Sequence, residues 1–131
     1  MIKTGVDMLE ISRMEQAIEK HKEMKNVFTD AEMQYTKQKL EKGEIRGYKF
    51  FECLAGMFCA KEAVLKALGV GIVYKTALKD VEILHKTSGE PFAKLNGKLA
   101  KMFEKVAENE EIAISIAHDG GFAIASCVLE I

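Results

Sequence analysis

The sequence predicts an α+β domain spanning residues 1–131, with antiparallel strands packed around one long, buried helix. Three observations carry this. Tyr48–Leu68 is a proline-free run of helix formers and apolar residues. Ile112–His118 and Phe122–Leu129 alternate large and small side chains and are joined by Asp119–Gly120–Gly121, the pattern of a β-hairpin. Thr29–Asp30–Ala31–Glu32 spells a capping box, so a further helix starts there.

In chain order, Ile2–Leu9 reads as a short strand, with Asp7 set between Val6 and Met8. Ile11 to about Glu23 has helical spacing through Met14 and Ile18. The capped helix runs towards Leu40, and Gly43–Gly47 is a loop. In the long helix, a turn of about 100° per residue puts Phe51, Ala55, Phe58 and Leu65 on one stripe with Glu62 at its centre. Cys53, Gly56, Cys59, Ala60, Ala63 and Ala67 make the opposite side small. A helix apolar or small nearly all round is expected to be buried. Gly69 is a natural terminator, with Gly71 just beyond. Asp80–His85 suggests a strand, Thr87–Pro91 a turn, Phe92–Leu95 another strand and Gly97–Ala107 a helix. In the closing hairpin the small side, Ala113, Ser115 and Ala117, is expected to meet the small side of the long helix.

Hydrophobic residues make up 48% of the chain, enough for a core at this length. Formal charge is −1 with no block of like charge, which argues against broad electrostatic capture of nucleic acid. The N-terminus lacks the apolar region of a signal peptide, and no segment approaches transmembrane length, so neither export nor a membrane is expected. Cys53, Cys59 and Cys127 match no zinc or CxxC spacing and are expected to be reduced core residues of a cytoplasmic protein.

Glu62 is where a charge is least expected, because a buried carboxylate is costly without a cation. Lys66 lies one turn on and Lys61 is its neighbour. Asp7 is a second acid among apolar residues. One acid on a strand and one on a buried helix suit magnesium, which takes one or two protein carboxylates and keeps waters or phosphate oxygens otherwise. The alternative is that Asp7 caps a turn and Glu62 pairs with a lysine; spacing alone does not decide. Lys61 and Lys66 either balance Glu62 or meet an anionic substrate. His118 reads as a strand-end residue or a functional one, and His21 and His85 as surface positions. Gly69–Val70–Gly71 is not a P-loop, since it follows a helix and lacks the GKS/T ending.

Taken together, Gly5–Val6–Asp7, the stretch from Phe58 through Lys61–Glu62–Ala63 and Lys66–Ala67 to Gly71, and Ser115–Ile116–Ala117–His118 resemble the holo-acyl-carrier-protein synthases, the short bacterial type of phosphopantetheinyl transferase. The likeness extends to the Asp7–Arg13 opening, the Phe28–Glu32 helix start, the Gly89–Pro91 turn and the last strand through Glu130. It implies a 4′-phosphopantetheinyl transferase-like α+β fold. It also implies a magnesium-dependent transfer of the 4′-phosphopantetheine arm of coenzyme A to a serine of an apo acyl carrier protein, releasing adenosine 3′,5′-bisphosphate.

By the same resemblance, Asp7 and Glu62 are the magnesium ligands, Lys66 contacts the phosphates, and the base is Glu62 or a metal-bound water. Lys61, Lys66, Gly69 and His118 bind coenzyme A. Arg13 docks the acidic carrier protein, and the assembly is a homotrimer with interfacial sites. The chain departs from the family's pattern at Met57, usually arginine, and at Ala117, commonly serine; Lys49 and Lys61 are candidates to replace the lost charge. The other readings are a coenzyme A-binding or nucleotide-binding module without transfer activity and a metal-dependent hydrolase of the coenzyme A pyrophosphate. Magnesium-dependent transfer to a protein acceptor separates these.

Overall fold

The computed structural model describes residues 1–20, 24, 26–70 and 78–131. Five strands form one antiparallel sheet: β1 (Ile2–Glu10), β2 (Val81–His85), β3 (Pro91–Leu95), β4 (Ile112–Asp119) and β5 (Phe122–Glu130), in the order β1-β5-β4-β3-β2. The N-terminal strand therefore closes one edge by pairing with the C-terminal one, Asp7 opposite Ala125 and Gly5 opposite Cys127.

The long helix α3 (Tyr48–Leu68) lies across this sheet and ends at Gly69, whose φ of 76° is the left-handed conformation glycine adopts freely. Helix α1 (Ile11–Lys20) follows β1 directly and buries Ile11 and Met14. Helix α2 (Asp30–Glu41) begins with the expected reciprocal cap: Glu32 N–H donates to Thr29 Oγ1 at 3.2 Å and Thr29 N–H to Glu32 Oε1 at 2.8 Å. No helix among the described residues is long and apolar enough to cross a membrane. His21 and Gly71, with the end of the helix expected to reach Glu23, lie outside the described residues.

The observed architecture is the expected α+β arrangement, with three local corrections. The segment read as one helix over Gly97–Ala107 is two short ones, α4 (Gly97–Met102) and α5 (Glu104–Ala107). Phe103 leaves helical geometry between them (φ −126°, ψ 59°) and packs against the core. Tertiary packing of an aromatic ring has overridden local helix propensity.

The second correction concerns β4. Its small side, Ala113, Ser115 and Ala117, is exposed, while Ile112 is buried and Ile114 and Ile116 pack against the core. The small residues that let α3 come close belong instead to β5, where Ala123, Ala125 and Cys127 are buried.

The third concerns α3 itself. It is expected to be buried nearly all round; Gly56, Cys59, Ala60, Ala63 and Ala67 of the small side and Ala55 and Leu65 of the stripe are buried, but Cys53, Phe51, Phe58 and Glu62 are only half-buried. The opposite face of the sheet is left with exposed Val6, Met8, Phe122, Ile124 and Val128.

Candidate active site

Asp7 is delivered to α3 by the glycine two residues before it. A Cβ on Gly5 would collide with the Ala63 carbonyl oxygen and stand 2.9 Å from the Ala67 nitrogen, so only glycine permits this crossing. The strand's period of two turns Asp7 to the same face. There Lys66 Nζ stands 3.2 Å from Asp7 Oδ1 and donates to the Val6 carbonyl at 2.9 Å. Glu62 completes the corner. Burial first, and then the Asp7 charge, hold its carboxyl above the ordinary range, with Lys66 opposing them. The neighbouring Cys59 thiol is pushed up to about 12, by burial and by the two acids, and stays protonated.

The structure thus brings together Asp7, Glu62 and Lys66, with Asp7 20% and Lys66 53% exposed, at a corner open to an anionic substrate. Among the described residues no group of three or more His, Cys, Asp or Glu side chains converges as a metal cage. Two carboxylates nevertheless fit a hard cation that keeps water or phosphate oxygens in its remaining positions. Burial first, and then repulsion from Asp7, raise Glu62's proton affinity, and a cation between the two acids would offset both.

Lys61 is not part of this corner, which corrects its expected place beside a substrate phosphate. It points to the other side of α3 and is 0% exposed. Its ammonium lies 2.8 Å from Glu32 Oε1 and donates to the Leu78 and Val81 carbonyls at 2.9 and 2.6 Å. Burial pulls its pKa down and Glu32 counters this. With all three protons committed, nothing is left for a ligand.

Gly69 lies at the end of α3, three residues beyond Lys66, in open space. Arg13 is exposed on α1 while Ile11 and Met14 of the same helix are buried, so it faces outward near the end of the strand that carries Asp7.

His118 stands apart from the acidic corner. It lines a cleft of about 350 Å³ with Tyr35, Lys39, Lys49, Glu52 and Met57. Its Nε2 is 3.0 Å from the Glu52 carbonyl oxygen, and its Nδ1 3.8 Å from the Glu52 carboxylate. Glu52 and Glu62 are separated by about 15 Å along α3 at the usual rise per residue. Met57 is 1% exposed and apolar at this cleft. Ala117 belongs to the opposite face of β4, so its missing hydroxyl does not face His118's cleft.

The sequence reading missed Glu52, although it carried the same signal as Glu62, an acid in an otherwise apolar helix. It also misplaced His85, which is half-buried and stacked on Tyr35 with ring centroids 3.9 Å apart. Burial and then the Lys39 charge push its pKa down to about 4.

Residues 3–127 match the model of the 4′-phosphopantetheinyl transferase superfamily. The chain is 41% identical over 128 residues to a holo-[acyl-carrier-protein] synthase of Finegoldia magna, covering 98% of this chain and 95% of that protein. It is 39% identical over 129 residues to the synthase of Fusobacterium nucleatum, covering 98% of both. Among solved structures, the ACPS–CoA complex of Chronobacterium ammoniagenes superposes with a TM-score of 0.81 at 26% identity, covering 99% of this chain and 97% of that one.

Proposed function

The chain belongs to the 4′-phosphopantetheinyl transferase superfamily, and on that premise we propose that the Asp7–Glu62–Lys66 corner is where it reacts. The activity is that of a holo-acyl-carrier-protein synthase: 4′-phosphopantetheine passes from coenzyme A to a serine of apo acyl carrier protein, releasing adenosine 3′,5′-bisphosphate. The serine Oγ–phosphorus bond forms as the bond to the bisphosphate breaks. The observation that carries the assignment of the corner is its composition, two acids and a lysine meeting where β1 crosses α3.

Asp7 and Glu62 would hold magnesium, which supplies charge stabilisation to the pyrophosphate when bound. Lys66 neutralises charge developing on the phosphates, its ammonium already fixed by the Val6 carbonyl. Glu62 or a water on the bound cation would take the serine proton. Gly69 leaves room for the donor beyond Lys66, and His118 holds coenzyme A in its own cleft. Arg13 meets the acidic carrier protein.

The transferase domain is taken as residues 1–131, acting in the cytoplasm, a setting supported by three cysteines with free thiols. We assign the apolar outer sheet face to a homotrimer. Val6 is 54%, Met8 61% and Val128 50% exposed there, a patch of the kind that partners cover. In such an assembly the His118 cleft of one subunit serves the acidic corner of the next, which accounts for their separation within one chain.

The test is the mass of an apo acyl carrier protein after incubation with coenzyme A and magnesium. A gain of one phosphopantetheine group, abolished by EDTA and by Glu62→Gln, is expected. No gain across several carriers, with coenzyme A still bound, would identify a binding module instead.

A further inference from the structure

We propose that Gly56 is a positioning residue for coenzyme A: the missing side chain at this point of α3 seats the His118 imidazole in its cleft. The proposal rests on the reading that His118 holds coenzyme A. An alanine Cβ at position 56 would stand 2.8 Å from His118 Nε2, 3.4 Å from its Cε1 and 2.8 Å from Ile116 Cγ2. The ring therefore lies flush against helix backbone, in space that any side chain at 56 would occupy.

The same placement brings Nε2 to 3.0 Å from the Glu52 carbonyl oxygen, one helical turn before Gly56. A carbonyl oxygen only accepts, so Nε2 carries the proton. Gly56 thus opens the seat and Glu52 fixes which ring nitrogen is bound. Nδ1 is left near the Glu52 carboxylate at 3.8 Å, as the nitrogen a ligand can engage. Close packing alone does not require glycine here. Ala60 and Ala63, further along the same small side, are fully buried with their Cβ atoms present. Glycine inside a helix is less stable than alanine, and at position 56 the atom excluded is one that would displace a functional ring.

The experiment pairs imidazole ¹⁵N NMR of His118 with transfer kinetics for Gly56→Ala, His118→Ala and the double variant. In Gly56→Ala the His118 ring resonances are expected to move and the KM for coenzyme A to rise about tenfold. The kcat and the KM for carrier protein should stay within about twofold. His118→Ala should raise the same KM, and Gly56→Ala should add nothing to it.

Unmoved ring resonances, effects that multiply in the double variant, or a fall in kcat with the coenzyme A KM unchanged would each overturn the proposal. If His118→Ala alone leaves that KM unchanged while the ring still moves in Gly56→Ala, the coenzyme A reading of His118 fails and the proposal fails with it. Should Gly56→Ala not fold, the cycle is repeated in an Ile116→Ala background, which removes the other close contact and leaves the same outcomes to be read.

Discussion

Lys61 and Glu32 form an ion pair of 2.8 Å with both side chains at 0% exposure, and neither has an unpartnered polar atom. Glu32 also caps α2 and accepts the Ile83 N–H at 2.7 Å, so one carboxylate joins α2, α3 and β2. Lys61 adds the carbonyls of Leu78 and Val81. It is the immediate neighbour of Glu62, yet a turn of about 100° per residue sends the two to different neighbours.

Lys61→Met should therefore act on stability rather than on substrate. It leaves Glu32 as a buried charge without its cation, a loss of about 3–5 kcal/mol. Urea denaturation should show this, while the folded fraction keeps its KM for coenzyme A. A raised KM at unchanged stability would return Lys61 to the substrate site.

Gly5→Ala should be among the most damaging single-methyl changes in the chain. The added carbon meets the backbone of Ala63 and Ala67, which cannot swing aside as a side chain tip can. Overpacking of this kind costs about 1–3 kcal/mol or more. Because β1 must move to relieve it, transfer activity should fall further than the unfolded fraction accounts for. Activity normalised to folded protein is the measurement, and full activity per folded molecule would contradict the account.

Glu62→Gln should separate stability from function. It removes a charge that burial and Asp7 both disfavour, so the melting temperature should hold or rise, by about 1 kcal/mol in stability terms. Transfer should fall by at least about a hundredfold. Thermal unfolding and carrier mass, read on the same preparation, test both halves. A large loss of stability would mean that Glu62 is chiefly structural.

His85 predicts an acid-side weakening. Its pKa lies at about 4 in the folded chain against an ordinary 6.5. Between these values the unfolded chain binds a proton that the folded chain does not, so the contribution is intact above about pH 6.5 and is lost as pH falls towards 4. The ring is only half-buried, and solvent screening leaves about 1–2 kcal/mol of the effect. His85→Phe keeps a ring against Tyr35 without titrating. It should flatten the dependence of the urea midpoint on pH in this window, and an unchanged slope would refute the assignment.

Val128→Lys tests the outer sheet face. Val128 pairs with Thr4 and Ala113 across three strands and is 50% exposed on the apolar outer face. A charge there should convert the oligomer to monomer in sedimentation velocity and lower transfer at least about tenfold, with the melting of the monomer itself little changed. A wild-type chain that sediments as a monomer would remove the trimer from the account.

Much of the candidate site is legible in the sequence. Asp7 and Glu62 stood out because acids rarely sit in apolar runs, and Lys66 followed from one helical turn. Glu52 sent the same signal without a partner in view, since His118 comes from a strand far along the chain. Met57 and Ala117 showed as departures, but only the structure separates them: one is buried at the His118 cleft and the other is on the far side of β4.

By itself the sequence determined what short-range physics controls. The Thr29–Glu32 cap, the Tyr48–Leu68 helix with its terminator Gly69, and the Asp119–Gly121 hairpin are set by hydrogen bonds and dihedral preferences within a few residues. Tertiary structure alone decided which face of each element turned inward. Periodicity tells that Gly56, Ala60 and Ala63 share a side, and likewise Ala113, Ser115 and Ala117, but not what either side meets. The choice went to whatever packed most closely: Gly5 and β5 against the small side of α3, the isoleucines of β4 filling the wider gap, and Lys61 drawn to Glu32. Such contacts join residues far apart in the chain, and their energy depends on shape and on the pairing of buried charge, which no local pattern encodes.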